Sequence, residues 1–139
     1  MEPIKMKYEV RSDDFSVAGE ASGKIKRTLK DLGLDASVVR NVAIAVYEGE
    51  INMVIHANGG FISAEINPDK IKIILKDTGP GIPDVEKAMQ AGFSTAPENI
   101  RALGFGTGMG LPNIKKYSDE MNIETELGVG TTITLGFNI

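Results

Sequence analysis

Glu48 and Asn52 are the first residues in the sequence whose types and spacing suit a chemical role. They lie four residues apart in segment 38–57, which is nearly continuously apolar, so a helix there would carry both on one face. Inside an apolar helix either side chain would need a polar partner. A carboxylate beside an amide provides a general base and an oxygen ligand for Mg²⁺, which typically takes about one or two protein oxygens plus phosphates and water. The alternative is a polar stripe on the helix surface, to which Glu50 would also belong.

A run of alternating glycines is the second candidate site. Residues 104–112 read Gly-Phe-Gly-Thr-Gly-Met-Gly-Leu-Pro, and a helical pattern begins directly behind them. Glycines leave backbone N–H groups accessible, and a helix start adds unpaired donors and partial positive charge. This combination suits a polyphosphate, and Pro112 fits a first helical turn. The spacing matches neither the dinucleotide fingerprint nor the P-loop, and a glycine-rich surface loop is the alternative.

Asp77 stands where a predicted strand ends. It follows segment 71–76, in which apolar residues alternate, and it precedes a bend that contains Gly79 and Gly81. A carboxylate there can accept a hydrogen bond from an exocyclic amine such as that of adenine. The two glycines would let a flat ring approach the backbone. An ordinary Asp-x-Gly turn is the alternative.

Three further polar residues are weaker candidates. Thr131 follows a glycine-rich turn and either supplies a hydroxyl to a pocket floor or is an ordinary β-branched strand residue. His56 continues the face of Glu48 and Asn52, where a helix-end histidine is more common than a phosphoacceptor. Arg101 lies in a segment without clear periodicity, where it either reaches a γ-phosphate or is simply solvated.

The composition limits the classes of function. The chain has 139 residues, which suits one domain spanning 1–139, and its net charge is −4 with acidic and basic residues interspersed. A nucleic-acid surface is therefore not expected. The absence of cysteine and the single histidine exclude disulfides and the usual zinc sites. No signal peptide or membrane-spanning run is present, so we expect a cytoplasmic protein that binds no membrane.

Hydrophobic periodicity predicts an α+β protein, a two-layer α/β sandwich in which a mixed β-sheet has helices packed on one face. The basic residues of the first helix are expected to form a solvated face, with a partner-docking surface as the alternative. The predicted elements are a strand at 6–10, helices at 17–32 and 38–57, strands at 61–67 and 71–76, helices at 84–91 and 111–121, and strands at 123–127 and 131–139.

Taken in order, these motifs resemble the GHKL superfamily, the ATP-binding (Bergerat) fold shared by gyrases and histidine kinases. The resemblance runs from about residue 38 to the C-terminus. Segments 77–84, 92–95 and 108–112 look like the small stand-alone members, which are bacterial anti-sigma factors and switch serine kinases. Pro97-Glu98 followed by Arg101 is more similar to the anti-sigma branch, so the branch stays open. Gly49 departs from many relatives, which carry alanine there.

The resemblance implies ATP and Mg²⁺ as cofactors and a serine/threonine protein kinase of a bacterial partner-switching system, phosphorylating a STAS-domain antagonist protein. One alternative is a nucleotide-dependent anti-sigma factor that holds a sigma factor. Another is an ATP site that serves only slow hydrolysis. A monomer or a homodimer is compatible with all of these functions. Glu48 would be the catalytic residue, orienting or deprotonating the acceptor hydroxyl or else water, and Asn52 would be the metal ligand. The implied nucleotide-binding residues are Asn52, Asp77, Gly79, Gly81, Ile82, Ser94, Thr95, Arg101, Gly104, Phe105, Gly106, Thr107, Gly108, Met109, Gly110, Leu111 and Thr131.

Overall fold

The elements follow the order that the periodicity predicts. The computed structural model describes residues 3–11, 18–56, 59–79, 89 and 110–139, so most of the predicted helix at 84–91 lies outside the described residues. The helices and strands are β1 (Ile4–Val10), α1 (Glu20–Asp31), α2 (Ala36–His56), β2 (Gly60–Ile66), β3 (Lys70–Asp77), α3 (Gly110–Tyr117), β4 (Glu120–Glu126) and β5 (Gly130–Asn138).

The five strands form one sheet in the order β1-β2-β3-β5-β4. All four pairings between described strands are antiparallel, whereas we predicted a mixed sheet. β2–β3 and β4–β5 are hairpins, which are antiparallel by construction. Helices α1 and α2 return the chain to the end of the sheet at which β1 ends. β2 therefore starts beside the last residue of β1, and the β1–β2 pairing is antiparallel as well.

The core lies between one face of the sheet and the helices. Every second residue of the central strand β3 is buried, as in Ile71, Ile73 and Leu75. Lys72 and Lys76, which alternate with these residues, are exposed on the other face. The two-layer α+β sandwich is therefore confirmed. Full burial of an aliphatic side chain is worth about 1.5–3 kcal/mol, so the shared core holds the helices on the sheet. The fully buried side chains that contribute most volume are Ile25, Leu29, Ile62, Ile71, Ile73, Ile114, Leu135, Val42, Val46 and Val54.

Of the helices in the described ranges, none combines the length and the apolar composition that crossing a membrane requires.

Candidate functional site

The central helix α2 carries the two polar residues predicted to do chemistry. Glu48 and Asn52 are both half-buried. Glu48 Oε1 accepts a hydrogen bond from Asn113 Nδ2 at 3.5 Å. Asn113 belongs to α3, the helix that begins at Gly110 directly behind the glycine run. The start of α3 therefore contacts the candidate general base, through a residue that sequence reasoning did not single out.

Two close approaches bring α2 against the end of β3. A Cβ added to Gly49 would lie 2.8 Å from Leu75 Cδ1, so the helix rests directly on that leucine. A Cβ added to Gly60 would lie 2.8 Å from Met53 Cε and 2.8 Å from Asp77 Cα. Met53 and Asp77 are therefore both next to Gly60. Because Met53 follows Asn52 in the helix, Asp77 lies at the level of the α2 turn that carries Asn52.

Asp77 is half-buried at the last position of β3. Burial raises the pKa of its carboxyl, and a hydrogen bond from the backbone N–H of Thr131 opposes part of that increase. The bond joins Thr131 N to Asp77 Oδ1 at 3.0 Å. A carboxylate has a second oxygen, which is able to accept from an amine such as that of adenine.

The first residues of β5 fix this carboxylate from the neighbouring strand. Gly130 has φ 153°, and an added Cβ would overlap the Asp77 carbonyl oxygen and lie 3.2 Å from Thr78 Cα. Only glycine therefore allows β5 to run so close to Asp77. Thr131 is 5% exposed, and its hydroxyl oxygen lies 2.9 Å from that of Thr125. Thr131 is thus a buried β-branched strand residue whose backbone N–H binds Asp77 and whose hydroxyl faces Thr125, and its role at a pocket floor stays a prediction.

The remaining predicted residues divide between described and undescribed positions. Gly79 is buried just beyond Asp77, Gly110 begins α3, and Leu111 is buried in its first turn. The predicted helix behind the glycine run is therefore confirmed, with Pro112 in the first turn. It ends at Tyr117, however, and residues 120 and 121, which the periodicity assigned to this helix, belong to β4. Lying outside the described residues are Gly81, Ile82, Ser94, Thr95, Arg101, Gly104, Phe105, Gly106, Thr107, Gly108 and Met109.

Glu50 does not belong to a polar surface stripe, so that alternative is wrong for this residue. Its side chain is 3% exposed and faces α1. Glu50 Oε2 accepts from Ala21 N at 3.2 Å, and Glu50 Oε1 accepts from Ser22 N at 3.1 Å. The one sequence signal for this contact is Gly19, which precedes α1 and has no side chain with which to cap it.

The antiparallel sheet, the polar face of α2 and the engaged carboxylate at the end of β3 agree with the class of protein that the motifs suggested. Residues 12–137 match the family described as the histidine kinase-like ATPase domain, and the chain belongs to that family. The resemblance drawn from the motifs is thereby confirmed.

Curated relatives come from both branches that the motifs suggested. The serine/threonine-protein kinase RsbT of Bacillus subtilis is 35% identical over 112 residues, which cover 78% of this chain and 78% of that protein. The anti-sigma F factor of Caldanaerobacter subterraneus is 37% identical over 102 residues, covering 70% of this chain and 68% of the relative. The anti-sigma F factor of Clostridium beijerinckii is 31% identical over 103 residues, with coverages of 70% and 68%.

Proposed function

We propose that this protein is an ATP-dependent serine/threonine protein kinase of a bacterial partner-switching system and phosphorylates a STAS-domain antagonist protein in the cytoplasm. One observation carries the proposal, namely the position of the half-buried Asp77 carboxylate. It accepts a hydrogen bond from the backbone N–H of Thr131 in β5, and it lies at the level of the α2 turn that carries Asn52. Membership of the histidine kinase-like ATPase family supports the use of ATP. The similarity to a protein named as a serine/threonine kinase supports phosphoryl transfer.

The donor set of the described residues fits a magnesium-bound adenine nucleotide. In this proposal the second oxygen of Asp77 accepts from the adenine amine, and the buried hydroxyl of Thr131 supports the same end of the pocket. The amide oxygen of Asn52 is the protein ligand of Mg²⁺, an ion that commonly keeps phosphate and water as its other ligands. When bound, the metal ion supplies neutralisation of phosphate charge. The glycine run at 104–110 would supply backbone N–H groups to the triphosphate.

Glu48 is the residue proposed to act on the acceptor hydroxyl. Its contact with Asn113 restrains one carboxylate oxygen, and the side chain remains half-buried rather than enclosed. A carboxylate in this position is able to orient or deprotonate a serine or threonine hydroxyl that a protein partner brings in. Because phosphoryl transfer depends mainly on positioning and charge neutralisation, a domain of this size is sufficient once the partner is docked.

A nucleotide-dependent anti-sigma factor with little kinase activity is the second candidate function. It is favoured by the similarity to two proteins named as anti-sigma F factors. The two functions differ in the partner that is held and in the fate of the γ-phosphate. Co-purification with a sigma factor, without transfer of label from γ-labelled ATP to a STAS-domain protein, would favour this candidate over the kinase.

Asn52→Ala and Glu48→Ala test the proposed roles separately. We expect Asn52→Ala to abolish Mg·ATP binding in titration calorimetry, because it removes the metal ligand. Glu48→Ala should keep wild-type affinity and lose transfer by about 10²-fold or more, the usual contribution of a positioned acid–base group. Glu124→Ala, which removes an exposed carboxylate from β4, is the control and should change neither quantity. Unchanged affinity in Asn52→Ala would refute the assignment.

A further inference from the structure

Three consecutive residues of α2 contact three different elements. Glu48 meets Asn113 in α3, Gly49 rests on Leu75 of β3, and Glu50 binds the beginning of α1. Successive residues of an α-helix point about 100° apart, so these contacts surround α2 on three sides. The contact with α1 involves a buried carboxylate to which the proposed mechanism gives no role.

The Glu50 carboxylate acts as the cap that α1 lacks. The first N–H groups of a helix have no partner within the helix, and Gly19 makes no side-chain capping bond. Glu50 supplies one oxygen to Ala21 N–H and the other to Ser22 N–H. The positive end of the α1 dipole also favours a carboxylate at this place. The arrangement satisfies the buried charge and both backbone donors together.

A second contact on the same side of α2 fixes its rotation. Tyr47 lies three residues before Glu50 and so on the same face of the helix. A Cβ added to Gly19 would lie 3.1 Å from Tyr47 Cε1, which places the ring against the backbone that leads into α1. Two contacts about one turn apart hold both the distance between the helices and the orientation of α2 about its axis.

We propose that Glu50 is a positioning residue that holds Glu48 and Asn52 in their orientations by locking α2 to the N-terminus of α1. The inference rests on the proposed function, since it takes those two residues as the ones that act. Side-chain ends lie about 5–6 Å from a helix axis, so a rotation of about 15° would displace them by about 1.5 Å. A displacement of about 1 Å in a reacting group can reduce the rate about 10²-fold.

The decisive variants change the carboxylate and leave the packing of α1 in place. Glu50→Gln keeps one acceptor oxygen but turns an NH₂ group toward the other backbone N–H, whereas Glu50→Ala removes both acceptors. Ile25→Val is the matched control, because it shortens a fully buried side chain of α1 and leaves the carboxylate bonds untouched.

The first measurement is the single-turnover rate of ATP consumption, with and without a purified STAS-domain protein, at a temperature where every variant is fully folded. We expect the single-turnover rate constant to fall about 10-fold in Glu50→Gln and about 10²-fold in Glu50→Ala. Ile25→Val should stay within about 2-fold of wild type although its melting temperature drops. A merely structural role predicts no change in the rate of the folded protein. An unchanged rate in Glu50→Gln, or an equal loss in Ile25→Val, would therefore overturn the proposal.

The second measurement needs no nucleotide. In the free protein, the side-chain NH₂ signals of Asn52 and the amide protons of Ala21 and Ser22 should shift in Glu50→Gln and stay in place in Ile25→Val. An unmoved Asn52 signal overturns the positioning role. If the wild-type chain binds no ATP, the proposed function is wrong, and the Asn52 signal alone then decides for or against the lock between α1 and α2.

Discussion

Gly130→Ala tests whether the approach of β5 fixes the Asp77 carboxylate. A non-glycine residue at φ 153° costs about 1–3 kcal/mol. The new Cβ would also overlap the Asp77 carbonyl oxygen and lie 3.2 Å from Thr78 Cα, so one backbone must move away from the other. That movement weakens the bond from Thr131 N–H to Asp77, and a hydrogen bond to a charged group is worth about 1.5–3 kcal/mol. We therefore expect a loss of about 3–5 kcal/mol in the free energy of unfolding.

The assay combines urea denaturation with titration calorimetry of Mg·ATP. Gly128→Ala is the matched control, because Gly128 has φ 79° in the same turn but a Cβ there would meet nothing within 4 Å. The control should lose about 1–2 kcal/mol, the cost of the left-handed conformation, and bind ATP as the wild type does. Gly130→Ala should lose more stability and, in its folded fraction, bind ATP at least about 10-fold more weakly. Equal stability losses in the two variants, together with unchanged ATP affinity in Gly130→Ala, would refute the reasoning.

Two more substitutions test the surroundings of the site. Asp77→Asn keeps an acceptor for Thr131 N–H and removes a carboxyl whose pKa burial raises. Because folded Asp77 holds its proton more tightly than the unfolded chain does, the wild-type free energy of unfolding falls as pH rises from the ordinary carboxyl pKa through the raised one. Relative to wild type, the free energy of unfolding of Asp77→Asn, measured by urea denaturation, should therefore rise with pH across that window. ATP binding should be lost in this variant. A relative stability of Asp77→Asn that falls with rising pH would contradict this. Gly49→Ala gains about 1 kcal/mol of helix propensity but crowds Leu75 Cδ1 at 2.8 Å, and overpacking costs about 1–3 kcal/mol. Its melting temperature should therefore fall and recover in the double variant with Leu75→Val, whereas additive losses would show that the two side chains do not compete.

Local signals were sufficient to predict the elements and the order of the site motifs. Alternation of apolar residues on either side of the turn at residues 67–69 predicted the β2–β3 hairpin, because both period and turn chemistry act within a few residues. The helix behind the glycine run was predictable because its signals, the glycines before it and the helical spacing of its apolar residues, are also local. The direction of strand pairing could not be predicted in this way, because it depends on the end of the sheet at which each connection starts the next strand.

The contacts of α2 could not be predicted because they join residues far apart in the sequence. Glu50 meets Ser22 across 28 positions and Glu48 meets Asn113 across 65, and both contacts depend on how the helix is rotated in the assembled fold. Within the sequence, Glu50 looks like one more surface carboxylate. The glycine at position 49 is explained by the Leu75 side chain, which fills the space that a methyl group there would take.

The three-sided anchoring of α2 has a consequence for how this sequence can change during evolution. A single replacement at Glu48, Gly49 or Glu50 acts directly on one neighbour and leaves the residues of the other two contacts in place. Inserting or deleting one residue before them would turn the whole trio by about 100° and present each side chain to the wrong neighbour at once. The length of α2 between its first residue, Ala36, and this trio should therefore tolerate far less variation than its composition.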